Sequence, residues 1–199
     1  MYLLNRQQLE RHVSDLNSRY LTIKNFSSRN LQHTSYYFRV GHIYQIVHSA
    51  ENKELKELTR ENKILTIEPG QYVLIRTAEI FTLSEKVKAF VGSNGDAVGD
   101  GLLVNYSPFI DPLYDGWLEV GVKNLLDTKV HLKMGQKIGK LSFFDISDTY
   151  PIDIKKGSYQ DSKFEVRSMY DESVDDGVVY PEEEDDSEIY KEKDWGKKK

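Results

Sequence analysis

Residues 102–144, LLVNYSPFIDPLYDGWLEVGVKNLLDTKVHLKMGQKIGKLSFF, contain the pattern that decides the fold. Short runs of branched and aromatic residues recur at 102–104, 117–122, 130–132 and 138–144. Pro, Gly, Asn and Asp cluster between these runs, as they do at tight turns. This stretch therefore predicts a series of short β-strands joined by turns.

The residues upstream continue the same pattern. Residues 31–48 are rich in β-branched and aromatic side chains, and they predict two strands separated at Gly41. Further short strands are predicted at 64–67, before a Pro-Gly turn, and at 72–75, 80–83 and 87–91. Many short strands with regular turn signals predict an all-β sandwich, jelly roll or barrel.

Two upstream segments have other patterns. Residues 4–16 place Leu4, Leu9 and Val13 near helical spacing, which predicts a short amphipathic N-terminal helix. Residues 50–62 interleave Lys and Glu, which predicts a loop or a short exposed helix.

The composition excludes several classes of protein. The chain has 199 residues, of which 39% are hydrophobic, enough to build a real core. The absence of Cys excludes a disulfide framework, a thiolate zinc site and a cysteine nucleophile. The five His residues show no paired metal-site spacing, so no metal ligands are predicted. No apolar run spans a bilayer and the N-terminus lacks a signal-peptide pattern, so we expect a cytoplasmic protein.

The charge is distributed unevenly along the chain. Residues 171–199 carry twelve acidic side chains and five Lys, whereas residues 1–170 carry 20 acidic and 22 basic ones. We therefore expect one domain over 1–170 and an acidic, disordered tail over 171–199. The alternative is that the tail is a nucleic-acid mimic or a docking arm for a protein partner, anchored by Tyr180, Tyr190 and Trp195. The near-neutral body shows no basic stripe, so duplex nucleic acid is not an expected partner.

Several separated segments share a more specific pattern. They are FIDPLYDG at 109–116, a strand ending in Asn124, MGQKIGKLSFF at 134–144, GLLVN at 101–105, IEPGQY at 67–72, and upstream LNRQQL at 4–9 and QHTSYYFRVG at 32–41. In this order and spacing they resemble the dCTP deaminase/dUTPase family, and the N-terminal segments resemble its deaminase branch. The similarity extends over residues 1–165.

The resemblance implies a fold and an assembly. Members of this family form a distorted β-barrel or jelly roll that assembles as a homotrimer, with active sites between subunits. This agrees with the strand pattern above. It also implies binding of dCTP or dUTP, with Mg²⁺ entering only together with a triphosphate.

The resemblance assigns catalytic roles to positions on and before the strand that ends in Asn124. Asp111 matches the family's Asp, which meets the sugar 3′-hydroxyl and positions water in the dUTPase branch; otherwise it is a turn Asp before Pro112. The family's proton-shuttling Glu falls on Gly121, which cannot move a proton. Glu119 lies on the same strand face about 6.6 Å away. It is either a displaced catalytic base or an exposed strand carboxylate.

The segment that meets the triphosphate in the family is also altered. Residues 92–96 lack the family's Arg and add an acid, Asp96. Ser93, Asn94 and backbone amides could still hold an anion. The alternative is a polar Gly-rich turn that binds nothing.

The remaining nucleotide contacts come from two segments. Residues 105–109 match the hairpin that reads the pyrimidine and excludes ribose, which makes Asn105, Tyr106 and Phe109 candidate nucleotide-binding residues. Tyr106 is either a stacking residue or a packed loop residue. Residues 162–167 resemble a deaminase segment in which Lys163 would contact phosphate, and Arg167 could supply some of the missing positive charge.

Three classes of function remain open. One is an active dCTP deaminase or dUTP diphosphatase with altered residues. The second is a catalytically inactive relative that senses a nucleotide or binds a protein, and the third is a structural trimer. In the second class we expect both the catalytic base and the Arg to be missing while the barrel motifs remain.

Overall fold

The structure, a computed structural model, describes residues 1–14, 18 and 20–148. The predictions for Lys163, Arg167 and the acidic segment 171–199 lie outside these residues. Among the described residues, no helix has the length and apolar character needed to cross a membrane.

Twelve β-strands and two short helices make up the described chain. In chain order they are β1 (Tyr2–Leu3), α1 (Arg6–Ser14), β2 (Leu21–Lys24), β3 (Tyr36–Val47), β4 (Lys53–Glu57), β5 (Ile64–Ile67), β6 (Tyr72–Leu83), β7 (Val87–Ser93), α2 (Gly95–Gly99), β8 (Leu102–Asn105), β9 (Phe109–Ile110), β10 (Asp115–Asn124), β11 (Val130–Lys133) and β12 (Lys137–Asp145). A single 3₁₀ turn, Ser28–Asn30, precedes β3.

Ten of these strands form one antiparallel sheet in the order β8-β10-β6-β3-β12-β7-β9, with β1 on β12, β2 on β6 and β4 on β3. Strands β5 and β11 form a separate pair. The large sheet curls into a half-barrel around one hydrophobic core. The all-β prediction is confirmed, and so are the separate strands predicted downstream of residue 86.

The prediction of a break at Gly41 is wrong, because β3 runs through this residue without interruption. A Cβ at Gly41 would lie 2.8 Å from the carbonyl oxygen of Thr77 on the neighbouring strand β6. The glycine therefore marks the closest approach of two strands rather than a turn between them. The register of this pair shifts between Val40 and Tyr44, which bends both strands into the half-barrel.

Two further predictions are wrong, because strand pairing that the sequence does not show decides the structure of these segments. The segments 72–75 and 80–83 are parts of one continuous strand, β6, which the bulges opposite β3 and β10 bend without breaking. Residues 50–62 contain β4 instead of a loop or helix. Pairing with the end of β3 makes this charged segment a strand, and alternating Lys and Glu are common on exposed edges.

The predicted N-terminal helix is confirmed as α1, which begins at Arg6; residues 15 and 16 of the predicted range lie outside the described residues. Asn5 and Gln8 cap it reciprocally: the Gln8 amide donates to Asn5 Oδ1 at 3.0 Å, and the Asn5 amide donates to Gln8 Oε1 at 2.9 Å. Leu4 and Leu9 are buried and attach the helix to the core.

Asp145, at the end of β12, ties the N-terminal segments to the sheet. Its carboxylate accepts hydrogen bonds from the hydroxyls of Tyr2, at 2.8 Å, and Tyr20, and from the Ser147 amide at 2.7 Å. Burial would raise the pKa of Asp145, but the bonds from Tyr20, Ser147 and Tyr2 outweigh it and hold the pKa well below its usual range.

This carboxylate makes the stability of the fold depend on pH. Because the folded-state pKa is depressed, its contribution is complete above about pH 5 and declines as pH falls below the unfolded value toward the lower folded one. We expect Tyr20→Phe to lower the free energy of unfolding by about 1.5 kcal/mol at pH 7, and by less at about pH 2, where the folded-state carboxyl begins to take up its proton. Urea unfolding measures both values, with Tyr44→Phe as a control that leaves Asp145 intact. An equal loss at both pH values would contradict the account.

Candidate functional site

The candidate site lies on the face of the sheet that points away from the core, along strands β6, β8 and β10. Leu118, Val120 and Val122 of β10 are fully buried. Because side chains alternate along a strand, Glu119 and Gly121 lie on the opposite face. In the paired strands, Glu119 faces Arg76 of β6, and Gly121 lies between Leu74 of β6 and Asn105 of β8.

Glu119 is held beside a cation at this face. Arg76 Nη2 lies 3.9 Å from Glu119 Oε1, and the exposed fractions of the two side chains are 7% and 22%. The guanidinium also lies 4.8 Å from the ring centroid of Trp117. The Trp117 ring and the Glu119 carboxylate both lie beside Arg76, so a positive charge faces the carboxylate at this position.

Two tyrosines close one end of the same face. The Tyr106 hydroxyl is hydrogen-bonded to that of Tyr114, which donates to the carbonyl oxygen of Trp117. Burial raises the pKa of both tyrosines, and the nearby carboxylate of Glu119 raises it further, so both hydroxyls stay protonated at neutral pH. Tyr106 packs against the core and fixes the loop after β8.

Tyr72 occupies the space above Gly121. A Cβ at position 121 would lie 2.7 Å from Tyr72 Cζ and closer still to its hydroxyl, well inside van der Waals contact. The Tyr72 hydroxyl makes no hydrogen bond to any residue that the structure describes, and the side chain is partly exposed. The sequence reasoning did not identify Tyr72. The signal that could have found it is a glycine inside a strand, which often marks a close approach.

Asp111 and Phe109 lie together on a second part of the surface, on and after β9, which pairs with β7. Lys88 Nζ of β7 is 3.3 Å from Asp111 Oδ1 and 4.6 Å from the Phe109 ring centroid. Phe90 packs against Phe109 edge to face at 5.6 Å. Both phenylalanines are about half exposed, and the Asp111 side chain is 81% exposed.

The Gly-rich segment after β7 forms the start of α2. Asn94 is buried and caps this short helix: its Oδ1 accepts from the Asp96 amide, and its Nδ2 donates to the Lys137 carbonyl at 3.2 Å. Ser93 is partly exposed and pairs with Gly139 on β12. The Asn94 side chain is therefore engaged within the chain, and Asp96 adds negative charge beside it.

The structure brings the predicted residues into separate groups. Asn105, Tyr106 and Glu119 lie near one another around β8 and β10, Asp111 and Phe109 lie at β9, and Ser93 and Asn94 lie where β7 meets α2. The part of the chain that the structure describes holds no cluster of three or more His, Asp or Glu able to bind a metal ion.

Comparison with known proteins assigns this arrangement to a family. A family model described as dCTP deaminase-like matches residues 3–146. The dUMP-forming dCTP deaminase of Pseudarthrobacter chlorophenolicus is 29% identical over 129 residues, which cover 62% of this chain and 68% of the relative. The dCTP deaminase of Pyrococcus horikoshii is 28% identical over 142 residues, covering 71% and 86%.

Two further matches cover less than two thirds of the other protein. In the dUMP-forming dCTP deaminase of Tropheryma whipplei, 33% identity over 121 residues covers 57% of this chain and 61% of that protein. The crystal structure of a 2′-deoxycytidine 5′-triphosphate deaminase from Agrobacterium tumefaciens superposes with a TM-score of 0.60 and 12% identity. That match covers 71% of this chain and 47% of the other, and it supports the predicted β-barrel fold alone.

The contact between Tyr72 and Gly121 leads to a test by a double-mutant cycle. We expect Gly121→Ala to lower the free energy of unfolding by about 0.5–1.5 kcal/mol, because the added methyl group pushes the end of the Tyr72 side chain aside. In a Tyr72→Ala background the same change costs less than about 0.5 kcal/mol. Gly95→Ala is the matched control, since a Cβ there meets no atom within 4 Å. Equal costs of Gly121→Ala in both backgrounds would show that Tyr72 does not fill this space.

Proposed function

The chain belongs to the dCTP deaminase-like family, and we propose that it binds a pyrimidine deoxynucleotide, dCTP or dUTP, with deamination lost or strongly reduced. Its curated relatives are dCTP deaminases, which places the family in pyrimidine deoxynucleotide metabolism. We further propose that the chain assembles as a homotrimer, with the nucleotide between subunits.

The observation that supports the loss of deamination is the position of the Tyr72 ring above Gly121. Deamination requires a group that takes a proton from water as it attacks the pyrimidine ring. The resemblance puts the family's carboxylate for this step at position 121, where this chain has no side chain. Tyr72 fills the volume from which a carboxylate would extend, and its side chain does not replace the carboxylate that this step uses.

Glu119 does not supply the missing carboxylate in this proposal. It lies two residues earlier, about 6.6 Å along the strand. Arg76 Nη2 lies 3.9 Å from its carboxylate, on the side of β6. A catalytic base must come within hydrogen-bond reach of the attacking water, so the offset and the ion pair both oppose catalysis by Glu119.

The phosphate end of the ligand is held differently from that of an active deaminase. Segment 92–96 offers no cation, and Asn94 is committed to capping α2. We propose that Lys163 and Arg167 supply positive charge. Mg²⁺ would enter with the triphosphate, whose oxygens supply ligands that suit it.

A protein that keeps this fold but lacks the catalytic base is suited to sensing a nucleotide or to binding another protein. Nucleotide binding would then stabilise one state of the assembly, and the acidic segment 171–199 would offer a surface to a protein partner. This role is our alternative to residual catalysis.

We expect the purified full chain, with Mg²⁺ and either dCTP or dUTP, to release no deaminated or dephosphorylated product by chromatography. In parallel, either nucleotide should raise the melting temperature, because a ligand at 100 times its Kd stabilises the folded state by about 2.7 kcal/mol.

Three outcomes would contradict this proposal. Deamination of dCTP that Glu119→Gln abolishes would make Glu119 the base. Release of dUMP from dUTP that Asp111→Asn abolishes would assign the hydrolase activity. The absence of both product and thermal shift would exclude nucleotide binding altogether.

A further inference from the structure

Lys88 contacts both residues that would read the sugar of a bound nucleotide. Its ammonium nitrogen lies 3.3 Å from Asp111 Oδ1 and 4.6 Å from the centroid of the Phe109 ring. By the family resemblance, Asp111 would meet the 3′-hydroxyl and Phe109 belongs to the hairpin that excludes ribose. Lys88, on the neighbouring strand β7, therefore contacts both candidate sugar-binding residues.

The strand register explains how Lys88 reaches this position. Ala89 pairs with Ile110 and Phe90 pairs with Phe109, so the same antiparallel register places Lys88 opposite Asp111. Val87 and Ala89 are fully buried, which turns Lys88 outward from the core. The position of the ammonium group thus follows from the β7–β9 pairing and not from a free surface rotamer alone.

The exposure of this ion pair indicates that its main effect is not on stability. The Asp111 side chain is 81% exposed and that of Lys88 is 34% exposed. Ion pairs between such exposed groups contribute little to folding, because water competes for both charges. Breaking the contact should therefore change the local geometry more than the melting temperature.

The geometry also restricts what Asp111 can bind. Lys88 engages Oδ1, and the structure shows no other partner of this carboxylate among the described residues. The remaining lone pairs accept a hydrogen bond, so a ligand must offer a donor such as a sugar hydroxyl. The negative carboxylate repels a phosphate oxygen, so the phosphates lie elsewhere.

We propose that Lys88 is a positioning residue that sets sugar selectivity, by orienting the Asp111 carboxylate and holding the Phe109 ring in place. This inference rests on the proposed nucleotide binding and adds a residue to it. The ligand at this point is the deoxyribose of a nucleotide, recognised through its 3′-hydroxyl and its lack of a 2′-hydroxyl.

The test compares three ligands by calorimetry on the full chain with Mg²⁺: dCTP, 2′,3′-dideoxy-CTP and CTP. We expect the wild-type chain to bind dCTP about tenfold more tightly than either analogue, since each disrupts one sugar contact. In Lys88→Met these ratios should fall below about threefold, while Lys88→Arg keeps most of the preference. Lys86→Met is the matched control, because this exposed lysine lies two residues away, and it should keep the wild-type ratios.

The possible outcomes separate this inference from the proposed function. Unchanged ratios in Lys88→Met, or an equal loss of affinity for all three ligands, would overturn the positioning role and leave nucleotide binding intact. Binding of all three ligands with equal affinity by the wild-type chain would do the same. Failure of the wild-type chain to bind any of them would overturn both proposals.

Discussion

A carboxylate with no exposed surface, Glu79 on β6, holds the centre of the sheet together. It accepts hydrogen bonds from Arg39 Nε at 2.7 Å, the Arg39 amide at 2.9 Å and the Tyr36 hydroxyl at 3.2 Å. These contacts lie next to the bulge between Val40 and Tyr44, where β3 and β6 lose their regular ladder. Removal of one partner from a buried ion pair costs about 3–5 kcal/mol, so this junction constrains the curvature of β6 strongly. Every residue that β6 presents to the candidate site depends on that curvature.

Two of the residues that strand β6 presents to the site, Arg76 and Tyr72, are positioned by its pairing with β10. Arg76 stands opposite Glu119 and neutralises the acid of this face. Tyr72 reaches diagonally across the ladder to Gly121 and fills the space from which a side chain would rise. The sheet that carries the family fold therefore holds an ion pair and the Tyr72 ring around the position where the resemblance puts a catalytic carboxylate. In the proposed function, nucleotide binding and catalysis depend on different residues.

The sequence predicted those parts of the molecule that depend on local pattern. The runs of β-branched and aromatic residues, together with the turn residues between them, predicted most of the strands. The spacing of Leu4 and Leu9 predicted the helix. It did not predict β4, whose charged residues become a strand only through pairing with β3. It placed a break at Gly41, because the sequence does not show that another strand's carbonyl groups pass there. In the candidate site, the motif match indicated Asp111 and Gly121. The contact of Tyr72 with Gly121 and the contacts of Lys88 with Asp111 and Phe109 are made across neighbouring strands, so only the three-dimensional structure shows them.

The most direct test of this account is a crystal structure of the full chain with dCTP and Mg²⁺. We predict that the Tyr72 ring still covers Gly121, that the pyrimidine ring lies beside the Tyr72 hydroxyl, and that Glu119 remains paired with Arg76. No carboxylate oxygen should lie within about 3.5 Å of a water molecule next to the ring carbon that bears the amino group. A displaced Tyr72 ring, with a Glu119 oxygen holding such a water against the ring, would contradict the claim that the chain binds the nucleotide without deaminating it.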